Sequence, residues 1–318
     1  MEITAKPLAE LWAGLFQMLR DPDAPRPDIV AVPSHWTPQL ARLGLLMELS
    51  ALEPAFDPAA CPAPLRPHAC PEEGKAFSLP WRLEAPALFC RGDILERGGL
   101  RPEELASPDA FRRACRSLGK VAGGRALLKG PSGSLRWRDA APFVWARGGD
   151  FFSTEGRALF AREEALRGFE DLFELIAEGA LVLSEDSGLP VPGIGEGGCV
   201  FELGPAPEGP YADRVVALPF PGGAAPLLWA LHLAVPSDCA FPAEAWKRVR
   251  SLSPAPPPLP DVRTLPALLL AGTLERILER ALERLAVLAL GGAYSKQGLQ
   301  DEVAHAAAEA DAVSGQYA

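Results

Sequence analysis

Short apolar segments with strand character alternate with helical segments along this chain. Strands are predicted at 28–32, 76–79, 87–90 and 199–203, and amphipathic helices at 9–20, 163–178 and roughly 265–288. Glutamates and arginines of the last helix are expected to pair with each other, and Ser107 is expected to cap a further helix. Such alternation is typical of α/β folds. Because the apolar strands are few and scattered, the sequence predicts two smaller α/β lobes rather than one large sheet.

The composition of the chain argues against nucleic acids and membranes as partners. The chain has 318 residues, of which 48% are hydrophobic, and a formal net charge of −10. A negative chain offers no basic field to phosphate backbones or anionic lipids, so we expect no nucleic-acid partner. No stretch approaches the roughly 18 apolar residues that a membrane-spanning helix needs. We therefore expect no membrane insertion.

The first residues and the cysteines bear on the compartment. Residues 1–6 have neither a basic region nor an apolar core of the kind that signal peptides carry. As written, the sequence predicts either a cytoplasmic protein or a chain whose true start lies upstream. Six cysteines are present without any Cys-x-x-Cys spacing, which argues against a zinc site. Cys61 and Cys70 flank His68 in a Pro-rich loop; they are either free thiols or, in an oxidising compartment, a disulfide.

Strand, loop and helix meet near residue 36. The strand at 28–32 leads into Pro33 and a turn, and Thr37 followed by Pro38 is typical of a helix N-terminus. In open α/β sheets, ligands bind beyond the carboxyl end of a strand. The sequence therefore predicts a ligand-contacting loop at this point.

Motifs that carry catalysis are missing from the sequence. Gly193, Gly195 and Gly198 fit a dinucleotide-binding pattern by letter, but a strand follows them where a helix N-terminus is required. There is no P-loop lysine, no His-Glu-x-x-His and no nucleophile elbow. We therefore expect a protein that is not an enzyme and uses no cofactor.

Several motifs occur in an order that resembles one protein family. They are Asp28-Ile29-Val30 with Ser34-His35-Trp36, Leu43-Gly44-Leu45-Leu46, Leu79-Pro80-Trp81 with Leu88-Phe89-Cys90-Arg91-Gly92-Asp93, Trp145 with Gly148-Gly149-Asp150, Glu178-Gly179, Leu218-Pro219 with Pro221-Gly222-Gly223, and Pro242 with Ala245-Trp246 and Leu252-Ser253-Pro254. In this order they resemble the extracellular solute-binding proteins of ABC importers, of the maltose and oligosaccharide type.

The resemblance implies a fold and a role. The fold is α/β, a two-lobed periplasmic-binding-protein type II fold with a hinge and an interlobe cleft. Lobe 1 is expected at 1–84 and 230–255, lobe 2 at 85–229 and 264–318, and a Pro-rich linker at 253–263. The implied function is binding a sugar or related polyol without chemistry and delivering it to ABC permease subunits. The implied protein is a monomer in the periplasm or outside the cell.

Two departures from the family pattern keep a second hypothesis open. The family opens with a strand carrying Thr-Phe-Trp and a helix, and this sequence begins after both. Where the family has small glycines near the ligand, this chain has Leu228-Trp229-Ala230. The alternative is a degenerate or cytosolic regulatory module that keeps the fold, fills its cleft with Trp229 and acts through a protein partner.

A sugar cleft needs aromatic plates for C–H faces and charged or amide groups for hydroxyls. The candidate ligand-binding residues are Trp36, Trp81, Trp145, Trp229, His35, Arg82, Glu84 and Asp150. Each has an alternative role: core packing for the tryptophans, a solvated hinge face for Arg82 and Glu84, and a helix cap for Asp150. Trp12, Trp246 and His232 are predicted to be core residues.

Overall fold

The chain divides into two compact α/β units in the computed structural model. The structure describes residues 3–21, 23–24, 26–53, 55–123, 126–129, 135–182, 192–253 and 262–316. Unit 1 comprises Met1–Leu83, Trp229–Leu259 and Ala267–Ala271; unit 2 comprises Glu84–Leu228, Pro260–Pro266 and Gly272–Ala318. Of the predicted Pro-rich linker, residues 254–261 lie outside the described residues.

Ten helices and eight strands occur in the described residues. The helices are α1 (Leu8–Met18), α2 (Thr37–Arg42), α3 (Arg66–Ala69), α4 (Gly92–Arg97), α5 (Pro108–Leu118), α6 (Trp137–Ala146), α7 (Glu163–Ala177), α8 (Pro242–Leu252), α9 (Ala271–Leu290) and α10 (Lys296–Gly315). The strands are β1 (Val30–Pro33), β2 (Leu79–Glu84), β3 (Ala87–Arg91), β4 (Ala126–Lys129), β5 (Leu181–Val182), β6 (Cys199–Gly204), β7 (Val215–Leu218) and β8 (Trp229–Ala234). Within those ranges, no helix is long and apolar enough to cross a membrane.

A three-stranded sheet of order β1-β8-β2 organises unit 1. β1 and β8 are antiparallel, with Val30 opposite Ala234 and Val32 opposite His232. Alternate residues of a strand face opposite sides. Val30 and Val32 accordingly belong to one apolar cluster, with Trp12 and Trp36, and their neighbour Ala31 packs against a second cluster that contains Trp246. The sheet thus lies between two apolar layers, and Trp12 and Trp246 are buried as predicted.

Unit 2 contains a five-stranded mixed sheet of order β5-β4-β6-β3-β7. β4 is parallel to β5 and β6, whereas β3 is antiparallel to β6 and β7. Helices α6 and α7 pack closely because Gly168 of α7 has no side chain. A Cβ atom there would lie 2.5 Å from the Cα of Val144 in α6. Two separate sheets confirm the prediction of two smaller α/β units instead of one large sheet.

Local predictions failed in three places. Thr37 does not cap α2: a 3-10 turn at Ser34–Trp36 runs directly into that helix, and the Thr37 hydroxyl lies 3.2 Å from the Ser78 hydroxyl instead. The strand expected at 76–79 is displaced, since β2 begins at Leu79 and continues through Pro80. Helix α9 begins at Ala271 and not near 265. At Thr37 a tertiary contact with Ser78 overrode the local signal.

Candidate functional site

The 3-10 turn at Ser34–Trp36 carries two of the predicted ligand residues in unit 1. Pro33 ends β1 in an extended conformation, and the chain then turns through Ser34, His35 and Trp36 into α2. All three residues of the turn are buried. The loop after the strand therefore exists as predicted, and its three side chains are almost fully buried.

Trp36 packs among other aromatic side chains. Its exposed fraction is 2%, and its ring meets Trp12 edge-on, with ring centroids 4.7 Å apart. Such an arrangement is favourable for aromatic pairs. Trp36 is thus anchored to α1, and the predicted contact between Trp36 and a ligand stays a prediction.

The ring of Trp229, at the start of β8, packs against His35 at an interplanar angle of 56°. The two ring centroids lie 5.4 Å apart, and the exposed fraction of Trp229 is 8%. His35 also contacts Trp36, with centroids 6.4 Å apart. The structure therefore brings three predicted site residues, Trp36, His35 and Trp229, into one aromatic row within unit 1.

A buried polar chain runs beside this row. The hydroxyls of Thr37 and Ser78 are 3.2 Å apart, and Ser78 Oγ lies 2.8 Å from Nδ1 of His232. His232 is fully buried, and its Nε2 makes no hydrogen bond. Burial, together with the nearby His68 and His35, holds the pKa of His232 well below its ordinary value. His232 is therefore a neutral core residue, as predicted, although only one of its nitrogens is satisfied.

Trp81 and Arg82 lie on β2 at the end of unit 1. Trp81 is half-buried against the cluster that contains Trp246, and the guanidinium of Arg82 lies 5.0 Å from the centre of its ring. A guanidinium at this distance is attracted to the aromatic face. Arg82 is exposed, as is Glu84, the first residue of unit 2. Both charges are available for binding hydroxyl groups.

A cluster in unit 2 joins Trp145, Asp150 and Arg263. Nε1 of Trp145 donates to Oδ1 of Asp150 at 3.2 Å, and the same oxygen accepts the Phe151 amide at 2.9 Å. The other carboxylate oxygen accepts from Arg263 at 2.5 Å. The Arg263 guanidinium also lies 4.8 Å from the centre of the Trp145 ring. Asp150 does not cap a helix, because the next helix, α7, begins at Glu163.

Two glycine turns shape the end of α6 beside this cluster. Gly148 has φ +80°, and a Cβ atom on Gly149 would lie 2.6 Å from backbone atoms of Ala165. Gly222 has φ +75°, and a Cβ atom there would lie 2.3 Å from the carbonyl oxygen of Ala146. Positive φ and these close approaches both require glycine. The two glycine-containing motifs thus meet at the C-terminal end of α6.

Sequence reasoning missed Arg263 and the Thr37–Ser78–His232 chain. Arg263 is separated from Asp150 by 113 positions and is held by backbone bonds with Pro226 and Leu228. No local pattern marks such a partner. One signal in the sequence could have indicated a cationic partner: Asp150 follows Trp145 closely and has no basic residue near it that was assigned as its partner.

Comparison with known proteins identifies the fold. No protein-family model and no curated protein matches this chain. Many solved structures do match. An ABC transporter solute-binding protein from Thermotoga lettingae, bound with alpha-D-tagatose, is 16% identical with a TM-score of 0.75, covering 98% of this chain and 91% of that one.

Two further structures agree. A substrate-binding protein from Listeria monocytogenes in complex with cycloalternan is 12% identical with a TM-score of 0.75, covering 99% of this chain and 91% of that one. A solute-binding protein from Agrobacterium vitis with bound D-mannitol is 14% identical with a TM-score of 0.73, covering 96% and 88%. The resemblance stated from the motifs is confirmed at the level of structure, and the chain has the periplasmic-binding-protein fold of ABC sugar-binding proteins.

Proposed function

We propose that this chain is the substrate-binding component of an ABC importer. It binds a sugar or a related polyol in the interlobe cleft of its fold class, without chemistry. The observation that carries the proposal is the match over nearly the whole chain to binding proteins that hold tagatose, cycloalternan and mannitol. Those neighbours are transport proteins, and the chain itself carries no catalytic motif.

The side chains suit a neutral, hydroxyl-rich ligand. A sugar offers C–H faces to aromatic rings and hydroxyls to charged groups. In unit 1 the row of His35, Trp36 and Trp229 and the exposed Arg82 supply both kinds of group. In unit 2 the same pairing recurs at Trp145 and Asp150. We propose that these residues, with Trp81 and Glu84, contact the ligand.

The proposal extends to partners and location. A ligand that touches both lobes favours a closed form by differential affinity, and the closed form docks on permease subunits. We propose a monomer that works in the periplasm or outside the cell.

A thermal-shift screen tests the function directly. The purified chain is heated with mono- and oligosaccharides, polyols and glycerol phosphodiesters. A ligand at 100 times its dissociation constant adds about 2.7 kcal/mol, which raises the melting temperature by several degrees. A folded protein that responds to none of these compounds would contradict sugar binding and turn the search to protein partners.

Variants that remove a single charge then test where a ligand found in this screen binds. Arg82→Gln and Glu84→Gln alter exposed residues, so we expect a weaker response to the ligand. Without ligand the melting temperature should stay the same for Glu84→Gln and fall only slightly for Arg82→Gln, which loses its contact with the Trp81 ring. Lys120→Gln and Glu73→Gln are matched exposed controls that should leave both values unchanged. Equal affinities in all four variants, measured by calorimetry, would remove Arg82 and Glu84 from the proposed site.

A further inference from the structure

The side chain of Arg263 lies over one face of the Trp145 ring in unit 2. Its guanidinium carbon is 4.8 Å from the centre of that ring. Trp145 is only 4% exposed, whereas the Arg263 side chain remains 40% exposed. A ligand can therefore lie flat on this face of Trp145 only when the guanidinium moves away.

The same arginine occupies one oxygen of the Asp150 carboxylate. Oδ1 of Asp150 already accepts the Trp145 indole N–H and the Phe151 amide, and Oδ2 accepts from Arg263. A guanidinium is a flat group with N–H donors at its rim. Arg263 thus makes a face-on contact with Trp145 and a donated hydrogen bond to Asp150, and these are the two kinds of contact that a sugar or polyol makes with an aromatic plate and a carboxylate.

The backbone of Arg263 is fixed, so only its side chain has to move. The Arg263 amide donates to the Pro226 carbonyl at 2.9 Å, and the Leu228 amide donates to the Arg263 carbonyl at 2.8 Å. The contacts with Trp145 and Asp150 lie at the far end of a long, half-exposed side chain. Exposed side chains change rotamer rapidly. Release of the guanidinium into solvent therefore requires no rearrangement of the chain.

The contacts that hold Arg263 are weak enough for a ligand to replace. An ion pair with a half-exposed partner and a guanidinium–aromatic contact at the surface are each modest in strength. Together they lower the affinity of a competing ligand by about 3- to 30-fold.

We propose that Arg263 is an internal competitor for the ligand at Trp145 and Asp150, and that it thereby sets the affinity of this part of the site. A sugar or polyol places a C–H face on Trp145 and a hydroxyl group on Asp150, and the guanidinium swings into solvent. This inference rests on the proposed function, because it takes the ligand to be a hydroxyl-rich molecule that contacts these two residues.

Hydroxyl-radical footprinting without any sugar tests whether Arg263 covers Trp145. Trypsin cleaves after Arg138 and Arg147, so the peptide 139–147 carries Trp145 as its only tryptophan. Oxidation of Trp145 should be several-fold higher in Arg263→Ala than in wild type. Arg157→Ala removes another exposed arginine of unit 2 and should leave the oxidation unchanged. Circular dichroism verifies that both variants are folded. Equal oxidation of Trp145 in Arg263→Ala and wild type overturns the proposal.

Calorimetric titration with maltose, D-mannitol and D-tagatose tests the competition. Whichever of these compounds binds should bind about 3- to 30-fold more tightly to Arg263→Ala than to wild type, and with unchanged affinity to Arg157→Ala. Equal or weaker binding to Arg263→Ala overturns the competition and leaves the proposed function standing, since Arg263 would then be a bystander or a direct ligand contact. Binding of none of the three compounds to any of these proteins contradicts the competition and sugar binding together.

Discussion

Arg263 and Asp150 form an ion pair, 2.5 Å between guanidinium nitrogen and carboxylate oxygen, over the face of Trp145. The Asp150 carboxylate therefore has two roles, since it balances the charge of Arg263 and accepts the Trp145 indole N–H. These roles can be separated, because an asparagine keeps an acceptor oxygen and loses the charge.

The first prediction compares Asp150→Asn with Asp150→Ala. Arg263 is 40% exposed, so losing its ion pair should cost at most about 1 kcal/mol of unfolding free energy. Alanine also leaves the N–H groups of Trp145 and Phe151 without their acceptor, which adds about 1–3 kcal/mol. In urea denaturation, the free energy of unfolding should be highest for wild type, lower for Asp150→Asn and lowest for Asp150→Ala. Equal losses in both variants would show that the indole hydrogen bond contributes nothing.

The second prediction concerns acid stability. The pKa of His232 is lowered in the folded protein by burial, whereas an unfolded histidine titrates near about 6.5. Below that pH the unfolded chain takes up a proton that the native chain refuses, so this residue makes the unfolding free energy fall as the pH falls. Its contribution is fully present above about pH 6.5.

His232→Asn should remove that acid sensitivity. The asparagine side chain retains a partner for Ser78 and does not titrate, so the unfolding free energy should vary less between about pH 6.5 and 4.5 than in wild type. His305→Asn is the control, because His305 is exposed on α10. An unchanged pH profile for His232→Asn would contradict the assignment.

The third prediction concerns alkaline loss of stability through Glu279. Burial, together with the neighbouring Glu275, raises the pKa of Glu279 to about 8. The native state therefore holds a proton that the unfolded state has released, and the resulting stability is present below an unfolded pKa of about 4.3 and lost as the pH rises through 8.

Glu279→Gln should flatten the stability profile between about pH 7 and 8, where unfolded histidines are mostly deprotonated. The wild-type slope from this residue is below about 1.4 kcal/mol per pH unit, because a single carboxyl group exchanges at most one proton on unfolding. Glu73→Gln, at an exposed position outside α9, is the control. Parallel profiles for wild type and Glu279→Gln would refute a raised pKa.

The fourth prediction compares the effects on stability of replacing two helical glycines by alanine. Gly168→Ala should destabilise unit 2 by about 1–3 kcal/mol, because its Cβ atom would lie 2.5 Å from Val144 backbone. A Cβ atom on Gly14 of α1 would meet nothing within 4 Å, so Gly14→Ala should stabilise by about 0.5–1 kcal/mol through helix propensity alone. Stabilisation by both substitutions would mean that α6 and α7 are not closely packed at Gly168.

Patterns within a few residues predicted most of the elements. Helix α5 has Ser107 at its N-cap, where its hydroxyl accepts the Ala110 amide as expected. Trp145 and Asp150 are five residues apart, so their joint appearance in the candidate site was visible from the chain itself. Local chemistry of this kind needs no knowledge of the rest of the protein.

Contacts between segments that are distant in the sequence could not be predicted from such local patterns. Threonine is a common helix-capping residue, but the hydroxyl of Thr37 pairs instead with that of Ser78, which lies 41 positions further along the chain. Glutamates of α9 were expected to pair with arginines of the same helix, whereas Arg280 and Arg284 bind Glu309 and Glu302 of α10. Which of two acceptable partners is chosen depends on packing, and packing is a property of the folded chain.

The central position of β8 has a consequence for synthesis on the ribosome. β8 lies between β1 and β2, yet residues 85–228 are translated between β2 and β8. The emerging N-terminal segment therefore has two strands of a sheet and lacks the one that joins them. We expect the sheet of unit 1 to stay incomplete until the ribosome has delivered residue 234, so that its apolar surfaces need protection throughout the translation of most of unit 2.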